Sequence, residues 1–369
     1  MKKTILPALC FVLFSGLLFF GCNSEKSGWQ GSIEVVDGVT VVQNPKEPLH
    51  AETPLTLEEE LAIGGNTDAP NEMFAQIRHI AVGDNNELYI LDNKENHIKC
   101  FDENGSYIRT IGKKGKGPGE FDNPSFIYFK SGELMVSEFD RATFFSPEGD
   151  LLRIIPTSKE RVLRAQCNSQ GNIAGFILQF EPKQTNYILK LFDASYTPLK
   201  ELYKIEEVRK TGVIELFSPI FYLAFDPQDN LAFSYPDKGY ELLIFNPQGD
   251  LFKKIRRDYD PVNITEEEKK EASEGFPDRY EVRCPQHHPP FMRFLFNEKG
   301  YLFVQTYQRG EGENVYIHDI FSPEGRYLAR MPIKRVPVLF KSNKLYSLEE
   351  DEDGYITVKR YAVTWQIKS

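Results

Sequence analysis

Cysteine is scarce and badly placed for cross-linking. Of five in 369 residues, Cys10 and Cys22 fall in the N-terminal stretch, leaving Cys100, Cys167 and Cys284 far apart and odd in number. No disulfide framework is implied, and Cys100 and Cys167 sit inside apolar strand patterns, where a free thiol is a small hydrophobe. Basic stretches are missing too. The formal charge is −10, and loss of an N-terminal leader carrying Lys2 and Lys3 but no acid takes it to −12. Without a Lys/Arg stripe and interleaved aromatics there is no footprint for a phosphate backbone, which excludes nucleic acid as a partner. The longest apolar run, Ile5 to Phe20, is too short to span a bilayer comfortably. No G-x-S-x-G elbow, H-E-x-x-H helix or Walker loop occurs.

Aromatic residues are plentiful: 13% of the chain, with 28 Phe and 18 Tyr, as many short strands stacked face to face require. The stretch Ile77 to Phe121 shows the unit. Apolar residues alternate over Ile77 to Val82, Leu88 to Leu91, His97 to Phe101 and Tyr107 to Ile111, which predicts four half-buried strands. Asp84-Asn85-Asn86 and Asp102-Glu103-Asn104-Gly105 are residues that tolerate positive φ and bond their own backbone, so they reverse the chain between antiparallel neighbours.

Copies follow to the C-terminus. The second strand of each opens at Leu88, Leu134, Ile173, Leu231, Leu302 and Leu345, at intervals of 39 to 71 residues, and a later turn recurs as FDENG, FSPEG, FNPQG and FSPEG, ending at Gly105, Gly149, Gly249 and Gly325. A four-stranded repeat of this size is a propeller blade. The fold class is therefore all-β, a six-bladed propeller of four-stranded antiparallel blades over residues 31–369. The sixth blade lacks the later turn, so the hairpin around Asp37-Gly38, residues 33–42, is expected to complete it and close the ring. Thr56-Leu57-Glu58-Glu59 fits a capping box and predicts a short helix over Leu57 to Ile63. A second such box, Thr265 to Glu268 with Gly275 as the stop, predicts a helical insertion at about 264–275, between blades four and five. Gly112 to Gly119 read as a blade connector.

Lys2-Lys3, the apolar run and Gly21-Cys22 resemble a bacterial lipoprotein signal peptide, although Phe19 stands where Leu is usual. The resemblance implies a leader over 1–21, lipidation of Cys22, a polar tether over 22–30 and an envelope protein held by its acyl chains, expected on the outer membrane of a Gram-negative bacterium. Gly115-Lys116-Gly117-Pro118-Gly119-Glu120-Phe121-Asp122-Asn123-Pro124, preceded by NELYILDNKENHIKCFDENGSYIRTIG, is similar to the NHL repeat, and the chain resembles the six-bladed propeller lipoproteins of gut Bacteroidota. That resemblance implies the six-bladed ring. Its members include binding scaffolds and a few enzymes, so activity must be argued from the site.

In a propeller the turns between strands one and two and between three and four share one face. The other face carries the remaining loops and the blade connectors, here Phe180 to Asn186, Ser234 to Tyr240, Gln308 to Asn314, Lys204 to Pro219 and Arg257 to Pro290. Recognition is expected on this loop-rich face. Nine positions before each aligned residue come His79, Ser125, Arg164, Tyr222, Arg293 and Val336, polar in five blades, an expected partial ring at the channel mouth. Two guanidiniums beside Tyr, Ser and His suit an anionic small ligand; solvation of a wet channel is the plainer alternative. Arg279, Tyr280, Arg283, His287, His288 and Phe291 form an expected partner surface. The inner strands offer no Asp or Glu for calcium, and Cys284-Pro285-Gln286-His287-His288 lacks a fourth zinc ligand, so no metal or other cofactor is expected. The reading is a ligand- or protein-binding module without chemistry of its own. A metal-dependent lyase or hydrolase in the channel and a structural part of an envelope complex are the alternatives.

Overall fold

The computed structural model describes residues 28–157, 162–208, 210–218, 220–235, 238–277, 279–312, 314–334, 336–351 and 353–366. The leader, Cys22 and most of the tether lie outside them. Blade one has its four strands at Ile77–Val82, Leu88–Asp92, His97–Phe101 and Tyr107–Ile111, almost residue for residue as the alternation predicts. Blades two, three, four and five begin with the inner strands Phe126–Lys130, Val162–Cys167, Tyr222–Phe225 and Arg293–Phe296, and each adds three antiparallel strands outwards. Blade six comprises Val336–Lys341, Lys344–Glu350, Ile356–Trp365 and, from the N-terminal region, Leu55–Gly64.

An apolar cluster fills each of the six blade interfaces. Phe101, Phe121, Phe176, Phe233, Phe303 and Phe321 are fully buried in them, and an aromatic side chain buried in this way contributes roughly 2 to 3 kcal/mol. The recurring glycines serve this packing. Gly105 and Gly249 adopt φ of +84° and +77°, and a Cβ on either would stand 2.5 Å from Leu61 or 2.6 Å from Leu202, in the outer strand of the preceding blade. The position thus demands both a left-handed backbone and close approach. Asp102 Oδ1 accepts from the backbone N–H of Asn104 and Ser106, and Asn246 Oδ1 accepts likewise from Gln248 and Asp250. Blade three has the same turn in disguise. Asp193 accepts from Ser195 and Thr197, while Tyr196 takes the glycine position at φ +60°.

Ring closure differs from expectation in two linked ways. The expected helix over Leu57 to Ile63 is instead the strand Leu55–Gly64, paired antiparallel with Ile356–Trp365 from Leu55 opposite Trp365 to Gly64 opposite Thr357. The acids that imitate a helix N-terminus face basic residues across the sheet: Lys359 Nζ lies 3.0 Å from Glu59 and Arg360 Nε 3.3 Å from Glu60. Isolated helices this short are marginal, so the free edge of blade six outcompetes local propensity.

The hairpin around Asp37-Gly38 therefore goes elsewhere. Its second strand, Val39–Asn44, runs parallel to the outer strand Leu251–Arg257 of blade four, and its first, Ser32–Val36, forms the far edge. Asn44 fixes this docking. Its buried amide donates to the carbonyls of Arg256 and Gly325 and accepts from Tyr327 N–H and Trp29 Nε1, which satisfies all of its hydrogen-bonding capacity.

Candidate functional site

The insertion between blades four and five carries the helix Glu266–Ser273, capped as the sequence predicts, with the Thr265 side chain accepting from Glu268 N–H and Glu268 bonding back to Thr265. Within the helix Lys269 bonds Glu266 at 2.6 Å. Glu268 also reaches His288, whose Nε2 lies 3.3 Å from its Oε1. Burial raises the Glu268 pKa, but the bonds from Thr265 and the neighbouring His288 outweigh it and hold the carboxyl low. His288 stacks on Tyr307 with ring centroids 4.2 Å apart and meets the edge of Phe217 at 5.3 Å. One contact chain thus joins the helix to blade five. A second tie is the parallel pairing of Val213–Glu215 with Glu281–Arg283, which connects the two long connectors.

These contacts correct the expected partner surface. Phe291 is buried in the interface of blades four and five, against Tyr240 and Phe294, and His288 is buried beneath the insertion. Neither is available to a partner, because an aromatic ring gains more in the core than at the rim. Arg279 lies over the Tyr280 ring, Arg283 bonds Glu281, and His287 bridges to Asn263. Arg279 and Arg283 are exposed, and Tyr280 and His287 half-buried. Two expected loops are shorter as well, because strands run through them: Ile173–Phe180 and Gln184–Phe192 leave only a tight turn, and Pro198–Val208 covers the start of the first connector.

The five residues expected at the channel mouth divide into two groups. His79 meets Phe126 edge-on at 6.2 Å, and Ser125, next to Phe126, donates its hydroxyl to the Ser137 carbonyl. Burial, helped by the charge on Arg78, pushes the His79 pKa down to about 4, so it is neutral at pH 7. Arg164, Tyr222 and Arg293 form the other group, on blades three, four and five. Burial raises the Tyr222 pKa, and both guanidiniums oppose the rise, so the phenol lies within the field of both. Among the described residues neither Arg164 nor Arg293 has a carboxylate partner. Arg164 is exposed, with φ +53° inside the bulge that shifts the register between Leu163 and Gln166. A side-chain-bearing residue held there costs about 1 to 3 kcal/mol.

Three further features emerge only with the fold. Tyr307, just beyond Tyr222 and Arg293, is pushed up to about 12, chiefly by burial. A cleft of about 600 Å³ opens between blades three and four, with Tyr187, Phe221 and Tyr235 on its wall and Glu207, Glu215 and Arg283 at its rim. Another of about 460 Å³ opens between blades five and six, where Arg293 and Gln305 meet Lys334, Glu349 and Lys359. The residues of each cleft come from strands or connectors far apart in the chain, so no local motif marks them. Among the described residues no three His, Cys, Asp or Glu side chains come together as a metal site would require.

Residues 69–143 match the family model DUF5128, described as a 6-bladed beta-propeller. No curated protein matches the chain. Among solved structures, a Bacteroides fragilis protein described as exported is similar over 89% of this chain and 100% of its own, at 11% identity and a TM-score of 0.52. A member of the DUF4221 family from Bacteroides vulgatus covers 85% of this chain and 99% of its own at 9% identity, with a TM-score of 0.49. A gluconolactonase from Xanthomonas campestris covers 83% and 99% at 12% identity, with a TM-score of 0.47. At these identities the likeness concerns the fold alone: the chain is a six-bladed β-propeller of mostly four-stranded antiparallel blades.

Proposed function

We propose that this protein is an exported, lipid-anchored propeller that binds an anionic ligand at the mouth of its channel on the loop-rich face. The observation that carries the reading is the placement of Arg164 and Arg293 about Tyr222, two guanidiniums without a carboxylate partner among the described residues. Two guanidiniums whose fields both reach one phenol suit an anionic group, and a planar guanidinium matches a carboxylate bidentately. The strained backbone at Arg164 fits the same reading, since such conformations cluster where side chains must be aimed. Export and anchoring rest on the leader and Cys22, and the exported description of the Bacteroides fragilis protein agrees with them.

Two measurements test this. Calorimetric titration of the full chain with citrate should show binding that the double variant Arg164→Ala, Arg293→Ala weakens at least tenfold, with the melting temperature unchanged. Equal binding by parent and variant sinks the site. For the anchor, Cys22→Ala should move the protein from the membrane fraction to the soluble one. Retention in the membrane fraction would remove the lipid from the account.

A further inference from the structure

The cleft between blades five and six has a polar inner wall that the fold leaves unsatisfied. Arg293, Gln305 and His318 lie opposite one another on three successive strands of blade five and share one side of that sheet. Gln305 is 1% and His318 0% exposed. Yet Arg293 Nε, Gln305 Oε1 and His318 Nε2 have no hydrogen-bond partner among the described residues. An unmade bond at a buried polar atom carries the full desolvation cost of that atom, and here three such atoms stand in one row. Gln305 and Arg293 line the cleft, and His318 stands behind Gln305.

The chemistry of the three atoms restricts what completes them. His318 Nδ1 lies 3.1 Å from the Tyr316 carbonyl. A carbonyl only accepts, so Nδ1 carries the proton and Nε2 presents a lone pair. Burial is the main reason the ring stays neutral, its pKa pushed down to about 4, and the charge on Arg293 adds to that. Gln305 Oε1 is an acceptor as well. The wall thus asks for two hydrogen-bond donors beside one guanidinium. A bare carboxylate cannot supply them, because it only accepts. An ammonium group could, but the positive field of Arg293 at His318 opposes a second cation there. Neutral hydroxyls fit. At the mouth Lys334 adds a second cation and Glu350 offers a further acceptor, while Glu349 is already engaged by Tyr361, Ser347 and Lys359. The volume of about 460 Å³ lies within the range of small-molecule sites.

We propose that this inter-blade cleft is a binding site for a sugar acid, with the carboxylate held by Arg293 and Lys334 and ring hydroxyls donating to Gln305 Oε1 and His318 Nε2. The inference rests on the anion-binding reading above and deepens it by naming the ligand class and two further residues. Arg293 belongs to both sites, so its guanidinium couples the channel mouth to the cleft.

The test is calorimetric titration of the full chain with four probes: galacturonate, galactose, citrate and alanine. Galacturonate should bind at least tenfold more tightly than galactose and alanine. Gln305→Leu should reduce galacturonate affinity at least tenfold and leave citrate affinity unchanged. His318→Gln, which keeps a polar side chain and guards against failure to fold, should weaken galacturonate in the same selective way. If citrate binds but galacturonate binds no better than galactose, or ignores both substitutions, the sugar-acid site is overturned while the channel-mouth anion site stands. If neither anion binds the parent, both proposals fall. Binding of alanine as tight as galacturonate would assign the row to an ammonium group and overturn the inference.

Discussion

His318 and Asp319 are neighbours in one strand and face opposite sides of blade five. Asp319, on the side of blade four, is fully buried and completely engaged: it accepts from Arg257 at 2.9 Å, from Tyr240 at 2.8 Å and from Tyr327 at 2.7 Å. Burial pushes its carboxyl up, and Arg257 and the two phenols push back. His318, on the side of blade six, is equally buried and presents a nitrogen unpaired among the described residues. Depth is the same on both sides, so burial does not distinguish them. The difference lies in how far each network closes on itself. A buried polar group that meets all its partners locks two blades together; one that does not carries the cost of its lost hydration.

Substitutions sharpen this contrast. Asp319→Ala leaves Arg257 as an uncompensated buried charge and should cost about 3 to 5 kcal/mol in urea unfolding; a loss below about 1 kcal/mol would make the two sides alike. Acid should strain the other side. The imidazole of His318 titrates at its ordinary value of 6.5 in the unfolded chain and near 4 in the fold. Between those values the unfolded state holds more protons, so stability falls as pH drops from about 6.5 and levels off below about 4. His318 contributes about 3 kcal/mol of that fall and His79, shifted likewise, a similar amount, so His318→Phe should shrink it by about half in melting curves recorded across that window. Gln305→Met removes an unpaired acceptor at nearly constant volume and should leave stability within about 1 kcal/mol of the parent, where a loss of several would mean that the amide is already structurally engaged. Arg164→Gly should give the smallest change, a gain of at most about 1 kcal/mol from relief of the positive φ, read from the urea midpoint.

The ring was legible because its repeat is local. Strands of period two and turns ending in glycine state themselves within some twenty residues, and Gly105, Gly149, Gly249 and Gly325 carry both the turn and the blade contact. Tyr196 hid the fifth copy, since a tyrosine at φ +60° breaks the pattern without breaking the turn. Leu55–Gly64 misled because Thr56 and its acids satisfy a helix rule locally, and their true partners lie at the other end of the sequence. Counting back along the inner strands is what brings out the residues expected at the channel mouth, and of these Arg164 and Arg293 both act on Tyr222. Gln305 and His318 could not be found in this way, because each sits in an alternating strand where a polar residue reads as outward-facing. Only the register across three strands reveals that they share a row with Arg293.

The pairing of Leu55–Gly64 with Ile356–Trp365 also has a kinetic meaning. Two segments about 300 residues apart in sequence must meet before the last interface can form, and chain closure over that distance costs on the order of 5 kcal/mol of entropy. Blades one to five can assemble each on its predecessor, but the circle stays open until Ile356–Trp365 meets Leu55–Gly64. Folding of this propeller is therefore gated at its seam, and until the seam closes the unpaired edge of Leu55–Gly64 is the segment most open to capture by a chaperone or by another copy.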